Sequence, residues 1–438
     1  MNSSKSVQKD DVFVSKDYKR TRVAFITECL FENFIAIIVA DAFLAALLNR
    51  LGFSDSMIGL ISTICSLALL FELCAIALAK RITNVKRTSI ISHLFSSVFF
   101  AFLYLTPFLN LPQKLRPLIT IFTISVAYAA RYLVNSIKLR WATMYISPTK
   151  RARFGALNEN VSLIAGIIFS LVMGFAIDKF KAADNLDGAF LFTAIAIAVL
   201  GLFDLTCFAL MKNQSEAMPE AASEHIGAKE GLKAIFSSKK YCYFLFAYIL
   251  YNIAVYFTAG FLGIYKTKEL ALSFTQIQLI IFIGIAARMI FSAPIAKYSD
   301  KRSYASGIIF GLTLTTISYA ALVFTTPTLW WMIVVHSILW YVASVGTGSN
   351  FYNIIFDCVE ERYFVFASVV KFALSGIFGF ASAIVAGKLV DYIQVNGNTF
   401  LGIEAYAQQV LAAISGLICL FVTVFIKLFL EKNMRKGD

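Results

Sequence analysis

The most prominent feature of the chain is a succession of long apolar stretches separated by short polar connections. A helix needs about 20 apolar residues to cross a lipid bilayer. Lipid leaves only helices and closed barrels as spanning structures, and these stretches are too long for barrel strands. The twelve stretches have the approximate bounds 23–48, 56–79, 88–109, 117–146, 153–178, 188–212, 241–266, 274–298, 304–326, 328–356, 363–391 and 402–430. The pattern predicts an all-α integral membrane protein with 12 transmembrane helices.

The longest polar segment, 213–240, divides these stretches into two sets of six. We therefore expect an N-terminal six-helix bundle over 23–212 and a C-terminal six-helix bundle over 241–430. The segment between them is predicted to be a cytoplasmic linker, and residues 1–22 and 431–438 are predicted to be cytoplasmic tails.

The two halves also resemble each other in sequence. A shift of 221 residues places LGFSDSMIGL on LSFTQIQLII, and a shift of 213 residues places Gly166 on Gly379 and Asp178 on Asp391. Repeats of this kind are typical of transporters. They predict two pseudo-symmetric bundles.

Composition supports a lipid environment. The 438 residues are 59% hydrophobic and 15% charged, whereas soluble domains carry about 25% charge. The net charge of +13 does not indicate nucleic-acid binding, because the basic residues recur in short clusters between apolar stretches. The positive-inside rule then places both termini in the cytoplasm, in a plasma (inner) membrane protein.

Two further features narrow the class of protein. Residues 1–22 are polar and lack the apolar core of a signal peptide. The seven cysteines form no CxxC pair and lie mostly in apolar stretches, where cysteine behaves as a small hydrophobic residue. We therefore expect no metal site and no cofactor.

The segment AKYSDKRS, 296–303, supplies the clearest motif. It follows the second stretch of the second half and resembles the cytoplasmic signature loop of the major facilitator superfamily. Asp300 matches the acid of that loop, and Ala296 stands at its usual glycine. In the first half, Ala75 and Ala79 replace the glycine and the acid. The resemblance implies the fold of that superfamily, in which two bundles rock between inward-open and outward-open states.

The same resemblance implies a charged gate on the cytoplasmic face. Asp300 would meet Arg151 and Arg153 at the start of the fifth helix. By pseudo-symmetry, three cations of the first half would meet three acids of the second, namely Lys80, Arg81 and Arg87 with Asp357, Glu360 and Glu361. Exposed ion pairs contribute only about 0–1 kcal/mol each, so the gate would have to act as a network. The alternative is that these charges only set the topology.

Ionisable residues inside the apolar stretches mark candidate chemistry, since each costs about 2.5–3.5 kcal/mol at the bilayer centre. Glu28 and Glu32 are four residues apart and share one helix face. We predict that Glu28, Glu32 and Glu159 couple transport to protons, with Arg131 paired to Glu28 or Glu32. A structural role for Glu28 and Asp204 is the competing interpretation.

The family resemblance implies that the first, fourth, seventh and tenth helices line a central cavity, with the second, fifth, eighth and eleventh beside them. The polar and aromatic residues expected to bind substrate there are Arg131, Asn135, Tyr251, Asn252, Tyr256, Arg288, His336, Trp340, Tyr341, Asn350 and Lys371. For His336 and the aromatic residues near 340, ordinary interior packing is the alternative.

The sequence therefore predicts a secondary active transporter that moves a small solute by alternating access. It contains no GxxxxGK[ST] loop, so energy would come from an ion gradient, in our prediction protons. Proton-antiport drug exporters of the superfamily that this sequence resembles usually carry a Gly-Pro-rich motif in the fifth helix. The fifth stretch here has Gly166 and Gly174 but no proline. By that resemblance we expect uptake of a sugar, glycoside or organic anion rather than drug export. The partners would be solute, protons and lipid, with the protein a monomer.

Two alternatives stay open. One is a proton-antiport exporter of drugs or lipid-like solutes. The other is a non-transporting membrane receptor on the same fold, although a receptor would not need the intramembrane charges. An enzyme is not expected, because no HExxH motif occurs and the three histidines lie far apart in sequence.

Overall fold

A computed structural model describes residues 15–68, 70, 71, 82, 84–146, 150–213 and 228–433 of the chain. Nearly all of this part is helical. The helices are α1 Lys16–Ile38, α2 Asp41–Arg50, α3 Asp55–Ser62, α4 Val85–Leu105, α5 Arg116–Thr143, α6 Arg151–Ala182, α7 Leu186–Leu210, α8 Ala228–Ser237, α9 Lys239–Ile264, α10 Phe274–Lys301, α11 Tyr304–Val323, α12 Met332–Cys358, α13 Phe364–Val395 and α14 Ala407–Phe429. A two-stranded antiparallel hairpin, β1 Thr399–Phe400 and β2 Ile403–Glu404, precedes α14.

The all-α membrane class predicted from the sequence is confirmed. Within the described residues, ten helices are long and apolar enough to cross a membrane, and the bent pair α1 and α2 gives an eleventh. The predicted count of twelve is compatible with this. Most of the second half of the predicted stretch 56–79 lies outside the described residues.

Helix starts follow local side-chain chemistry. The side chains of Ser54, Asn84 and Ser303 each accept a hydrogen bond from a backbone N–H in the first turn of the helix that follows. Ser273 does the same before α10, and Gln276 returns a bond to the Ser273 backbone. Such caps satisfy N–H groups that have no partner inside the helix, which fixes where each helix begins.

The first predicted stretch is broken rather than continuous. Helix α1 ends at Ile38, and α2 begins at Asp41, whose φ of 45° is unusual for a residue with a side chain. The Tyr104 hydroxyl donates a hydrogen bond to the Ile38 carbonyl. The break therefore leaves this carbonyl with a side-chain partner in place of an intrahelical one.

The helices form two compact units by their contacts. Unit 1 comprises residues 1–43 and 71–223, and unit 2 comprises 44–70 and 224–438. The predicted bundle boundaries stay a prediction, since they are not tested by this division.

Unit 1 is built around α4, which packs against both α5 and α7, while α1 packs against α6 and α7. Large buried aromatic residues fill one end of it. Trp141 and Phe208 stack with their ring centroids 6.2 Å apart, and Tyr18 and Tyr145 meet edge to face at 4.9 Å. This packing fixes the relative positions of the helices that carry the intramembrane charges.

Unit 2 includes the short helix α3, which packs on α9 and α13. The contact is close because it is made by glycines: a Cβ on Gly260 would lie 2.5 Å from the Gly59 carbonyl oxygen. Elsewhere α11 packs against α12 and α14, and α9 against α13 and α14. The outer faces of both units expose large apolar side chains, such as those of Ile168 and Ile290, as a lipid-facing surface requires.

Candidate functional site

Six ionisable side chains from four helices of unit 1 meet in its interior. They are Glu28 and Glu32 from α1, His93 from α4, Arg131 and Lys138 from α5, and Asp204 from α7. We call this set the charge cluster. The helical repeat explains why each helix contributes as it does, because residues four or seven apart lie on the same face.

Lys138 lies at the centre of the charge cluster. Its buried Nζ donates to Glu28 Oε1 at 2.9 Å and to Glu32 Oε2 at 2.6 Å. Charge-assisted bonds of this length are among the stronger hydrogen bonds in proteins. One cation thus bridges the two carboxylates that the sequence places on one helix face.

Arg131, the partner expected from the sequence, is more distant. Its Nε lies 3.8 Å from Glu32 Oε1, and its Nη1 donates to the Glu32 backbone carbonyl at 3.4 Å. Lys138 was not included among the candidate site residues. The available signal was its position seven residues after Arg131, which puts both cations on the same face of α5.

His93 and Asp204 form the second part of the charge cluster. His93 Nδ1 lies 2.8 Å from Asp204 Oδ2 and 3.9 Å from Glu28 Oε1, and all three side chains are fully buried. Sequence reasoning missed His93 and gave Asp204 a structural role. The signal for His93 was a single histidine inside an apolar stretch, at a position where a partner is required.

Solvent access divides the carboxylates. The Glu32 side chain is 21% exposed, whereas those of Glu28 and Asp204 are 0% exposed. Glu159, the third predicted coupling residue, is exposed on α6. The charge cluster therefore has one partly exposed carboxylate and two fully buried ones.

Three residues of the charge cluster also have side chains of the kinds that bind metal ions. Ligand atoms of Glu28, His93 and Asp204 lie within 4.8 Å of one another, and carboxylate with imidazole suits a transition metal. However, Glu28 Oε1 already accepts from Lys138, and a divalent cation there would face that ammonium group. The donor set fits a metal less well than it fits a proton.

In unit 2, Lys371 is buried among aromatic rings. Its Nζ lies 4.3 Å from the ring centroid of Phe372, 4.8 Å from that of Tyr248 and 5.8 Å from that of Tyr352. It also donates to the Phe351 carbonyl at 3.4 Å. Within the described residues no carboxylate is among these contacts, so cation–π attraction and one carbonyl hold the charge.

Other predicted substrate residues of unit 2 are engaged in packing and helix contacts. His336 Nδ1 lies 2.8 Å from the Ser318 hydroxyl, and the Trp340 ring stacks on the His336 ring. Asn350 donates to Ser299 at 3.0 Å and to a backbone carbonyl. Asn252 donates to the Tyr248 carbonyl.

The remaining predicted substrate residues lie at mixed depths. The ring of Tyr251 is 5.1 Å from that of Phe351. Tyr256 and Tyr341 press against glycines of α13 and α10, where a Cβ would come within 2.3 Å of each ring. Asn135 in unit 1 and Arg288 in unit 2 are half-buried. A substrate role for these residues stays a prediction.

The predicted gate residues are distributed as follows. Asp300, Arg87 and Asp357 are exposed, and Glu360 accepts a hydrogen bond from Arg362 Nε at 2.8 Å. Arg151 and Arg153 lie in the first turn of α6, and Glu361 lies just before α13. Lys80 and Arg81 lie outside the described residues. The gate stays a prediction.

An additional ion pair in unit 2 was not predicted. Both oxygens of Asp55, at the start of α3, accept from Lys268 Nζ at 2.9 Å, and Oδ2 also accepts from Gln394 Nε2 at 2.6 Å. The Asp55 side chain is 7% exposed and that of Lys268 is 48% exposed. We call this set the Asp55 clasp. It ties α3 to the helical turn Tyr265–Glu269, which follows α9, and to the end of α13.

Long apolar helices with a lipid-facing exterior and ionic clusters inside define a class: the multi-pass membrane transport proteins. Within it, the family model of the major facilitator superfamily matches residues 28–370. The chain belongs to this superfamily, which confirms the family expected from the signature loop.

Solved structures are similar over nearly the whole chain. A mutant form of the nucleoside transporter NupG is 15% identical with a TM-score of 0.71, covering 95% of this chain and 100% of that one. A bacterial homologue of human drug peptide transporters is 12% identical with a TM-score of 0.67, covering 94% and 98%. A bacterial metal transporter is 13% identical with a TM-score of 0.62, covering 94% and 98%. At these identities the likeness shows the fold alone. Among curated proteins, none matches significantly.

Proposed function

We propose that this protein is a secondary active transporter that takes up a small solute together with protons across the plasma membrane, both termini facing the cytoplasm. The observation that carries the proposal is the charge cluster. Three carboxylates and two cations inside one bundle, most of them buried, cost stability, and a protein retains such a network where it does work. Glu32, which is partly exposed and bonded to Lys138, is the group we assign to proton exchange.

Proton binding and solute movement are coupled because a proton competes with Lys138 and Arg131 for the Glu32 carboxylate. When its carboxylate is ionised, it holds Lys138 and faces Arg131. Protonation removes the acceptor charge, so both cations lose part of their attraction for α1. A change in one proton therefore alters how α1 is held to α5, and this gives the bundle two states whose populations a proton gradient can bias.

The substrate class we propose is an organic anion, with a sugar or glycoside as the neutral counterpart within the same uptake function. Lys371 supports an anion, because in the described part of the chain its Nζ contacts aromatic rings and a backbone carbonyl but no carboxylate. An anionic group entering its surroundings would gain a charge-assisted bond in a site poor in water.

The experiment combines a ligand screen with a transport assay. Purified protein is screened by thermal shift against organic acids, sugars and nucleosides, and radiolabelled hits are then tested in proteoliposomes. We expect accumulation of the hit only when a proton gradient, acidic outside, is imposed. Glu32→Gln should abolish accumulation of the solute but should still allow the solute to flow down its own concentration gradient.

Glu404→Gln is the matched control, since Glu404 is an exposed carboxylate in the hairpin before α14. It should accumulate solute like the wild type. Equal accumulation by the wild type with and without the proton gradient would contradict proton coupling, and failure of every solute to move would contradict transport by this chain alone.

A further inference from the structure

The pair formed by His93 and Asp204 is the most secluded part of the charge cluster. Both side chains are 0% exposed, and the His93 ring lies edge to face against Phe208 at 4.7 Å. Asp204 Oδ1 and His93 Nε2 are buried atoms with no hydrogen-bond partner among the described residues. The pair therefore contains unused donor or acceptor capacity in a place that bulk water does not reach.

A count of formal charges shows an imbalance. The groups around the pair are Glu28 and Glu32 from α1, Arg131 and Lys138 from α5, and Cys207 from α7, with Cys29 beside Glu28. Asp204 itself is the third carboxylate. With neutral thiols and a neutral imidazole, three carboxylates oppose two cations. A net negative charge buried in a low dielectric costs several kcal/mol. One additional proton brings the charge cluster to neutrality.

The contacts indicate where this proton is held. Glu28 and Glu32 both accept from Lys138, so each already has a cation as its direct partner. Asp204 has no lysine or arginine within 4.0 Å in the described part of the chain, and its close neighbours are His93 and the Glu28 carboxylate. Two carboxylates this close disfavour double ionisation.

We propose that the coupled proton, which enters and leaves at Glu32, rests between His93 Nδ1 and Asp204 Oδ2, in a buried site behind Glu32. This rests on the proposed proton-coupled function and assigns that function's proton to a named pair. The protonated state is either imidazolium with carboxylate or imidazole with carboxylic acid. Release leaves an Asp204 carboxylate that accepts from the Nδ1–H of a neutral His93, and the charge cluster returns to a net charge of −1.

The hydroxyl groups along α4 are consistent with a polar surrounding for this site. Ser89 lies one turn before His93 and Ser96 one turn after it, and the hydroxyl oxygens of both are buried without a partner in the described residues. Buried hydroxyls are ordinarily satisfied by protein or ordered water. These hydroxyls give the His93 ring polar neighbours on its own face of α4.

A divalent metal is the alternative occupant, bound by Glu28, His93 and Asp204. It would change the net charge from −1 to +1 beside Lys138, which a proton does not. A bound metal and a bound proton differ in charge and in the ligand atoms that they engage, so a spectroscopic experiment distinguishes them.

The test uses the full-length protein in lipid nanodiscs, with ¹⁵N-labelled histidine followed by NMR and carboxyl groups followed by infrared difference spectra. His93 signals are assigned by comparison with His93→Gln. We expect a single titration, between about pH 5 and pH 9, seen as imidazolium at His93 or as a protonated carboxyl. Asp204→Asn should remove it, whereas Asp187→Asn on the same helix should not.

If Asp204→Asn fails to fold, the wild-type protein and Asp204→Glu are compared instead. Both keep a carboxyl group at this position, so both should show the titration. The proposal is overturned if His93 stays neutral and Asp204 stays ionised over this range. It is also overturned if Zn²⁺ or Mn²⁺ at micromolar concentration shifts the His93 signals and abolishes the titration. A positive titration without gradient-driven transport would refute the proposed coupling but leave the proton site in place.

Discussion

Lys138 illustrates how much a single buried residue determines in this protein. It bonds to Glu28 and Glu32 and is itself buried, so its removal leaves two carboxylates without their nearest cation. Breaking a buried pair by removing one partner costs about 3–5 kcal/mol, because the other charge stays buried.

Lys138→Gln is therefore expected to lower the thermal stability of the purified protein strongly, whereas Lys427→Gln, at an exposed position of α14, should have little effect. The double variant Lys138→Gln with Glu32→Gln should be less destabilised than the sum of the single variants, since both partners of one bond are then removed. The measurement is unfolding in detergent followed by circular dichroism. Additive effects would show that the bond between Lys138 and Glu32 contributes no coupling energy to stability.

Some of this site could be predicted from the sequence and some could not. Glu28 and Glu32 were found because two acids four residues apart in an apolar stretch share a face and need partners. Their bond to Lys138 and the pairing of His93 with Asp204 depend on how α4, α5 and α7 are rotated against α1. That rotation follows from long-range packing, which local patterns do not encode.

At the scale of elements, the position of α3 depends on two glycines. A Cβ on Gly260 would lie 2.5 Å from a backbone oxygen of Gly59, and backbone cannot move aside as a flexible side chain can. The contact therefore permits an approach of α3 to α9 that larger residues would prevent.

Gly260→Ala should destabilise the protein by about 1–3 kcal/mol, the usual cost of overpacking. Gly155→Ala is the matched control, because a Cβ at that helical position meets nothing within 4 Å. Thermal unfolding of the two variants gives the comparison. If Gly260→Ala is as stable as Gly155→Ala, the close approach of α3 and α9 has no role in stability.

The Asp55 clasp acts on the same element. Asp55→Asn removes the charge that Lys268 meets with both oxygens, while keeping the size of the side chain. We expect α3 to leave its place on unit 2 more often, so that a cysteine introduced at the buried Ser56 reacts several-fold faster with a polar maleimide. With Glu404→Gln as the control, equal labelling rates in all backgrounds would show that the clasp does not hold α3.

Element boundaries were largely predictable, and their exceptions have local causes. Starts of α4, α10 and α11 follow capping residues that are legible in the sequence. The break between α1 and α2 was not predicted, because Val39 and Ala40 carry no glycine or proline signal. The Tyr104 hydroxyl that meets the Ile38 carbonyl comes from a distant part of the chain.

At the scale of the whole molecule, membership of the major facilitator superfamily was evident from the sequence. The number, length and repeat of the apolar stretches predicted the fold, and the resemblance of the loop at Asp300 to the family's signature predicted the family. Substrate class is not encoded at this scale, since the same fold carries nucleoside, peptide and metal transporters among its similar structures. In our proposal it depends on a few side chains such as Lys371.

The central claim is that movement of solute through this protein carries protons by way of the charge cluster. The most direct measurement is the internal pH of proteoliposomes, reported by an entrapped pyranine dye after solute is added outside without any imposed gradient. We expect solute-dependent acidification inside wild-type vesicles and none with Glu32→Gln. Solute entry at an unchanged internal pH, or equal acidification by both proteins, would contradict it.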